Sequence, residues 1–375
     1  MVFKFKDQEN FLIFSICCIF ILIATNYFPS LSEVINLGVN DAKSYSVFFV
    51  SDYDFSSKDF WGLPSHHIDR WPIFFAAQKI TSLMPFGWEL TSRLITIIVL
   101  LIILYQISTL KFSFYIKVII SLFIVFSPYS FRFYLFAPNA LSDLLFFFSN
   151  FLLLIGIKKE NITLSSIGVI LGLLSKQTAM LFIPIFFIFF IFNLINIKRL
   201  IYLLVLFFLT FALKKFLEFQ IFGQIIDPPD AVHLIGFLKY FVDYEATYQS
   251  ARSTVLSLLL FTPMLIFYNY INKRSFYIFL IIFLVFSSQP ILGAAGGNIA
   301  RLITLSFSAI IFLFSDSKEP SSKEVAIFSV IVIISSLHHN YSIIHDSKYL
   351  FGAIIFISSL FSLTYAKFNK GSKIQ

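Results

Sequence analysis

Residues 162–195 read ITLSSIGVILGLLSKQTAMLFIPIFFIFFIFNLI, two apolar runs that meet at the short polar turn SKQTA (175–179). Charged connections flank this stretch, KKEN at 158–161 and NIKR at 196–199. Because a membrane-spanning helix needs about 20 mostly apolar residues, the pattern predicts two antiparallel spans that cross a bilayer and return. The same alternation of apolar run and short charged connection continues along the chain in both directions.

The composition of the whole chain is that of a membrane protein. Its 375 residues are 58% hydrophobic and only 13% charged, with a mean hydropathy of +0.87, whereas soluble domains have about a quarter of their residues charged. We therefore predict an all-α fold, a single integral membrane domain over 1–375 that forms a polytopic bundle of about 12 transmembrane helices. The first span is expected to be a retained anchor rather than a cleaved signal peptide. The predicted spans are 11–28, 88–110, 117–135, 140–157, 162–177, 179–196, 199–213, 253–271, 275–290, 300–315, 324–339 and 348–366.

The basic residues fit an orienting role better than a nucleic-acid interface. The formal net charge is +8, but the Lys and Arg residues are scattered between apolar runs, so no nucleic-acid partner is expected. Cytoplasmic connections of membrane proteins are rich in Lys and Arg. This bias predicts a multi-pass protein of the inner (plasma) membrane with both termini in the cytoplasm. The connections assigned to that side are KFSFYIK (111–117), KKEN (158–161), NIKR (196–199), NKR (272–274), SDSKEPSSKE (315–324) and the tail KFNKGSK (367–373).

The opposite face collects most of the 20 acidic residues and all six histidines. Two outer loops, 29–87 and 214–252, carry many of them. Within the first loop, HIDRWPIFFAAQKITSLMPFGW (67–88) interleaves apolar and polar residues and has tryptophan near both ends. Such a pattern is typical of a helix that lies at the membrane interface. We expect the functional surface on this outer face.

Three carboxylates of the first outer loop are candidate site residues. Asp41 lies in VNDAKSY (39–45), soon after the first span. A carboxylate near the outer membrane surface can accept a proton from an acceptor hydroxyl as a general base; alternatively, Asp41 caps a following helix. Asp52 and Asp54, in DYD, suit a metal- or sugar-binding pair, and the alternative for them is a solvated turn.

The stretch PSHHIDRW (64–71) is denser in polar side chains. His66, His67 and Arg70 suit an anion or sugar site. The alternative is an interfacial anchor with Arg70 at phospholipid head groups. A metal site would need further ligands in a defined geometry, and no clear ligand set stands nearby, so no metal residue is assigned.

Further basic residues stand at the outer ends of predicted spans. Lys176 and Gln177 lie in the minimal turn SKQTA, where a lysine suits a phosphate and the next helix N-terminus adds N–H donors; the alternative is snorkelling. Arg301, in GAAGGNIAR (293–301), begins a span as a fixed cation suited to phosphate. Arg132, in YSFRFYLF (129–136), is either a third cation of this kind or an interfacial anchor.

This layout resembles the GT-C glycosyltransferases, polytopic enzymes that use polyprenyl-phosphate-linked sugars on the non-cytoplasmic face. The features that carry the resemblance are the early aspartate of the outer loop, the Arg-Trp-Pro that follows it, the KQTA turn and the late glycine-rich turn with arginine, over roughly residues 10–310. The resemblance implies that Asp41 deprotonates the acceptor. It also implies that His67 and Arg70 lie near the donor, and that Lys176 and Arg301 bind the donor phosphate.

The cofactor and two other functions stay open. Several family members carry paired acidic residues at the first-loop position, whereas Asn40 and Ala42 flank Asp41 here, so a divalent metal is not assigned. The expected partners are a polyprenyl-phosphate-linked sugar, a glycan or lipid-linked acceptor, and the lipid bilayer. One alternative is an O-antigen or polysaccharide polymerase. Another, of a different class, is a lipid-linked glycan transporter or flippase, which would need polar groups along a path through the bilayer.

Overall fold

The structure, a computed structural model, describes residues 11–12, 14–22, 68–127, 131–137, 140–226, 259, 261–293, 305–314, 319–344 and 348–371. These residues form helices and their connections, without a β-strand, which confirms the all-α prediction. Residues 11–12 and 14–22 are helical. The further helices are α1 (Trp71–Leu83), α2 (Trp88–Ser108), α3 (Phe114–Phe126), α4 (Phe131–Phe136), α5 (Leu141–Lys158), α6 (Ile162–Ser175), α7 (Phe182–Ile191), α8 (Ile197–Phe222), α9 (Lys273–Gly293), α10 (Ser322–Ile344) and α11 (Lys348–Gly371), with 3₁₀ helices at Gln177–Leu181, Thr262–Tyr270 and Leu305–Phe312.

Within the described ranges, three helices are long and apolar enough to cross a membrane. They are α2, α5 and α8, and they coincide with the predicted spans 88–110, 140–157 and 199–213. Other predicted spans contain shorter apolar helices, among them α3 and α6. The apolar helices indicate membrane association, and the bundle of about 12 spans stays a prediction.

Helix boundaries differ from the predicted ones at several places. The span expected at 117–135 contains two helices, α3 and α4, and the spans expected at 253–271 and 300–315 contain 3₁₀ helices. Helix α8 continues to Phe222, so the first part of the expected outer loop 214–252 is helical. The helix ends where Gly223 adopts a left-handed conformation with φ 69°, the usual C-terminal stop. Helix α1 lies within the expected loop 29–87.

The helices α5 and α6 form a hairpin whose backbones approach closely. The facing surface of α6 carries glycine at positions 168 and 172, a spacing that lets two membrane helices pack tightly. A Cβ added to Gly168 would lie 2.6 Å from the Leu153 backbone nitrogen and 2.8 Å from the Ser149 carbonyl oxygen. A Cβ on Gly172 would meet the Phe182 ring at 2.4 Å. Glycine is therefore required where α6 crosses α5.

The helices α2 and α8 present continuous apolar surfaces to the outside of the bundle. Helix α5 is almost entirely buried, whereas only a minority of the apolar window of α8 is buried. Large exposed apolar surfaces on long helices mark contact with lipid. The exposed residues recur at helical spacing and are Leu90, Leu94, Ile98, Leu101 and Tyr105 in α2, and Ile201, Val205, Phe208, Leu209, Leu213 and Phe216 in α8.

Several connections meet at one end of the bundle, where side chains hydrogen-bond from one connection to the next. We call it the basic end and define it as residues 106–117, 156–161, 192–199, 270–274, 311–314 and 319–324. The bonds that join it are Lys159 Nζ to Gln106 Oε1 (2.7 Å), Lys158 Nζ to Ile311 O (2.9 Å), Arg199 Nη2 to Gly156 O (3.0 Å), Arg274 Nη2 to Phe192 O (2.8 Å) and Tyr270 Oη to Glu324 Oε2 (2.6 Å).

We expect Gly168→Ala to lower the thermal unfolding temperature of the detergent-purified protein. The added methyl group would overlap the α5 backbone at a cost of about 1–3 kcal/mol, although alanine favours a helix by about 1 kcal/mol over glycine. Gly87→Ala is the matched control, because a Cβ at Gly87 would have nothing within 4 Å. Equal melting temperatures for the two variants would contradict the close α5–α6 contact.

Candidate functional site

The structure describes only part of the predicted site. Arg70, Lys176 and Gln177 lie in described segments, and Arg132 lies in helix α4 although its side chain is not described. The remaining predicted residues fall outside the described residues; they are Asp41, Asp52, Asp54, His66, His67 and Arg301.

Lys176 forms a buried ion pair with Asp143. Lys176 follows α6 directly and has an extended backbone, with φ −160° and ψ 144°, so the chain turns there. Asp143 lies in the first turn of α5, where a negative charge favours the helix dipole. Lys176 Nζ donates to Asp143 Oδ1, and the two side chains are only 5% and 4% exposed. Gln177, half-buried, opens the 3₁₀ helix that follows.

A second buried cluster joins the residues before α1 to the far part of α8. Lys214 Nζ donates to Asp69 Oδ2 at 2.8 Å and Lys215 Nζ donates to Asp69 Oδ1 at 3.1 Å, so both oxygens of one carboxylate are held. Lys215 also donates to Glu218 Oε2 and to the Ile226 carbonyl oxygen, each at 2.8 Å. Since an ammonium has three N–H donors, Lys215 is fully satisfied by protein groups.

The two clusters meet at the C-terminal end of α6. Lys214 Nζ lies 3.3 Å from the Leu173 carbonyl oxygen, to which it donates, and Leu173 precedes Lys176 by one helical turn. Arg70 directly follows Asp69 and is itself buried, with 8% of its surface exposed. The Asp69–Lys214 pair is thus bonded to the end of α6 that Lys176 follows, and Arg70 is the neighbour of Asp69 in the chain.

Aromatic packing closes the second cluster. The Trp71 ring packs edge-on against Phe222, with ring centroids 5.7 Å apart. Phe222 lies one turn after Glu218, so this contact fixes α1 against the last turns of α8. The sequence analysis left open that Arg70 is an interfacial anchor at phospholipid head groups, and in the structure its side chain is buried.

The carboxyl group of Asp69 is ionised at neutral pH. Burial raises its pKa, but the positive charges of Lys214 and Lys215, together with their hydrogen bonds, outweigh that effect, so the pKa is lowered from its usual value. Such a site holds fixed charges inside an apolar surrounding, where an electrostatic interaction is stronger than in water.

The sequence analysis missed the acidic partner Asp143 and the residues Lys214, Lys215 and Glu218. The fall in hydropathy at residue 214 favoured a loop there, although the helical spacing of buried residues continues past residue 214. The buried face of α8 runs Leu200, Leu203, Phe207, Lys214 and Glu218, a series with steps of three, four and seven residues. That spacing would have placed Lys214 and Glu218 on the packed face of a longer helix.

Comparison with protein-family models, with characterised proteins and with solved structures gives no match to this chain. Among the described residues, no group of three or more His, Cys, Asp or Glu side chains converges as metal ligands would. A functional assignment therefore depends on the charged residues at the end of α6.

We expect Asp69→Asn to lower the unfolding temperature strongly at pH 7. Removing one partner of a buried ion pair costs about 3–5 kcal/mol. Because the folded pKa of Asp69 lies below the unfolded value of about 3.9, the stabilisation is complete above that value and is lost as pH falls through the folded pKa. The difference between wild type and variant should therefore shrink below about pH 4.

Thermal unfolding in detergent from pH 3 to 8 measures this dependence. Glu89→Gln is the control, since Glu89 forms a more exposed pair with Arg93 (3.8 Å, 37% of the Glu89 side chain exposed), and such pairs contribute less than about 1 kcal/mol. A pH-independent effect of Asp69→Asn would show that the Asp69 charge does not stabilise the fold.

Proposed function

We propose that the chain is a GT-C-type glycosyltransferase that moves a sugar from a polyprenyl-phosphate donor to an envelope glycan or a lipid-linked acceptor. One observation carries the proposal. Arg70 and Lys176, which the family resemblance assigns to the donor, are both buried, and Lys176 directly follows the C-terminal end of α6. Ionisable groups buried in a membrane protein are costly and are functional candidates by default.

The chemistry needs cations at the place where the sugar–phosphate bond breaks. The lipid phosphate that leaves carries more negative charge than it did in the donor, and positioned basic groups stabilise that charge in the transition state. Lys176 and Arg70 supply such groups in a surrounding from which water is largely excluded. Lys214 is a further cation at this end of α6, since it donates to the Leu173 carbonyl oxygen.

The carboxylates keep the cations in place before the donor binds. An unpaired charge is expensive to bury, and Asp143 and Asp69 offset that cost for Lys176 and Lys214. A phosphate that enters the site takes over part of this role and competes with Asp143 for the Lys176 ammonium. The site is therefore charged and ordered without its substrate.

Asp41 completes the reaction as general base. The acceptor oxygen forms a bond to the anomeric carbon and gives its proton to the Asp41 carboxylate, while the bond between that carbon and the phosphate oxygen breaks. Asp41, Asp52, Asp54, His66 and His67 belong to the loop that leads in sequence into Asp69. Their roles follow from the family resemblance.

The proposal includes a location. The bias of Lys and Arg toward cytoplasmic connections puts the basic end and both termini in the cytoplasm of a multi-pass inner-membrane protein. The ion-pair clusters, at the other end of α6 and α8, then face the outer surface, where an external acceptor and a lipid-linked donor meet.

We expect Asp41→Asn to abolish sugar transfer. The test is the surface-glycan profile of a deletion strain complemented with wild type, with Asp41→Asn or with Lys79→Gln. Lys79 is an exposed lysine of α1 and should be dispensable. A glycan short by one sugar or branch, restored by wild type and Lys79→Gln only, supports the proposal. Full restoration by stably expressed Asp41→Asn contradicts the assignment of the base.

The double variant Asp143→Leu with Lys176→Met separates folding from function. Replacing both members of a buried ion pair by apolar residues is often neutral for stability, so we expect the double variant to fold with a melting temperature near wild type. Its sugar transfer should fall by at least about 100-fold, the scale on which one electrostatic stabiliser acts. Wild-type glycan made by this variant would show that Lys176 serves the fold alone.

The same glycan profile separates the alternatives. Collapse of a long ladder of glycan chains to single repeat units would indicate a polymerase. A complete lipid-linked glycan that accumulates on the cytoplasmic leaflet would indicate a transporter or flippase.

A further inference from the structure

The cations of the basic end fall into two groups. Some are occupied by the fold: Lys117 Nζ donates to the Ser108 carbonyl oxygen at 2.7 Å, and Lys158 stacks over the Phe112 ring at 4.2 Å in addition to its bond to Ile311. Others are exposed and form no hydrogen bond or ion pair with any residue that the structure describes; they are Lys111, Lys198, Lys273 and Lys323.

The exposed lysines stand on different connections but belong to one surface. The cross-connection bonds of Lys159, Arg199, Arg274 and Tyr270 tie those connections together. The free ammonium groups therefore stand on several connections at one end of the bundle rather than along one helix. Cations spread in this way match a flat charged surface better than they match a linear polyanion.

Exposed tyrosines mark the level at which this end meets the membrane. In the part of the chain that the structure describes, every tyrosine with a largely exposed side chain lies beside the basic end: Tyr105, Tyr202, Tyr268 and Tyr277, from 42% to 66% exposed. Tyrosine is enriched at the boundary between hydrocarbon and head groups. Tyr202 and Tyr277 each follow a free lysine, Lys198 and Lys273, by one turn of helix.

We propose that the basic end is a docking surface for anionic phospholipid head groups of the adjoining leaflet. In this arrangement the four exposed tyrosines lie at the boundary of the hydrocarbon core, and the four free lysines lie at the level of the lipid phosphates. Acidic side chains are few there: Glu160 and Glu319 are exposed, whereas Glu324 accepts hydrogen bonds from Ser321 and Tyr270. The excess of positive charge selects anionic over neutral lipids.

The inference does not depend on the proposed enzymatic activity. It concerns the end of the bundle opposite the ion-pair clusters and needs only the bilayer. Because the four lysines are exposed and form no hydrogen bond or ion pair with described residues, their neutralisation should leave the fold intact.

The test uses the full chain in phosphatidylcholine vesicles that contain spin-labelled phosphatidylglycerol or spin-labelled phosphatidylcholine. Electron paramagnetic resonance gives the relative association constant of the two lipids for the protein surface. We expect wild type to favour phosphatidylglycerol by roughly threefold to tenfold, since each lysine near an anionic surface contributes a modest attraction. The preference should fall toward one when Lys111, Lys198, Lys273 and Lys323 are all changed to Gln, and it should weaken in 0.5 M salt.

Two controls make the result decisive. A variant with the same four lysines changed to Arg keeps the charge and should keep the preference, and the melting temperatures of both variants show whether they fold. Retained preference in a folded Gln variant, or no preference in wild type, would overturn the proposal. Loss of the preference on adding millimolar glycerol 3-phosphate would also overturn it, because the surface would then be a site for a soluble phosphate.

Discussion

The close contact between α5 and α6 is the constraint on which the rest of the described structure depends. Since Gly168 has no side chain, the backbones of α5 and α6 approach within a distance that a larger residue would not allow, and Gly172 leaves room for the Phe182 ring of α7. This fixes the end of α6 against the start of α5, so that Lys176 reaches Asp143. It also leaves the Leu173 carbonyl oxygen where Lys214 can donate to it. A packing contact between uncharged residues thus determines the positions of the charged ones.

The two ends of the bundle use their cations differently. At the basic end, lysine and arginine donate mainly to neutral oxygens, such as the carbonyls of Gly156 and Phe192. At the other end they are paired with carboxylates. Helix α8 belongs to both ends: Arg199 and Lys214 are separated by roughly 22 Å along its axis. A cation with neutral partners thus stands near one end of α8, and a cation with a carboxylate partner stands toward the other.

Hydropathy predicted the helices that are apolar throughout, α2, α5 and α6, to within a few residues. The prediction was wrong about where α8 ends, because the helix becomes charged at Lys214 and still continues to Phe222. Asp69 and Lys214 could not be paired from the sequence, since 145 residues separate them and only tertiary packing brings them together. The sequence analysis named Lys176 as a candidate because a lone lysine in a minimal turn stands out, whereas its partner Asp143 follows no comparable signal. Asp41 and Arg301 lie outside the described residues and stay predictions.

The separation of Asp69 from its lysines has a consequence for synthesis at the ribosome. Asp143 and Lys176 are 33 residues apart, so they emerge almost together as one hairpin. Asp69 must wait until Lys214 has been made, a delay of roughly 7–29 s at about 5–20 residues per second. During that interval α2 to α7 are made while the Asp69 carboxylate has no counter-charge from α8. Because an unpaired carboxylate is costly to bury, we expect α1 to dock only after α8 has been made, so that the cluster is among the last parts of this region to assemble.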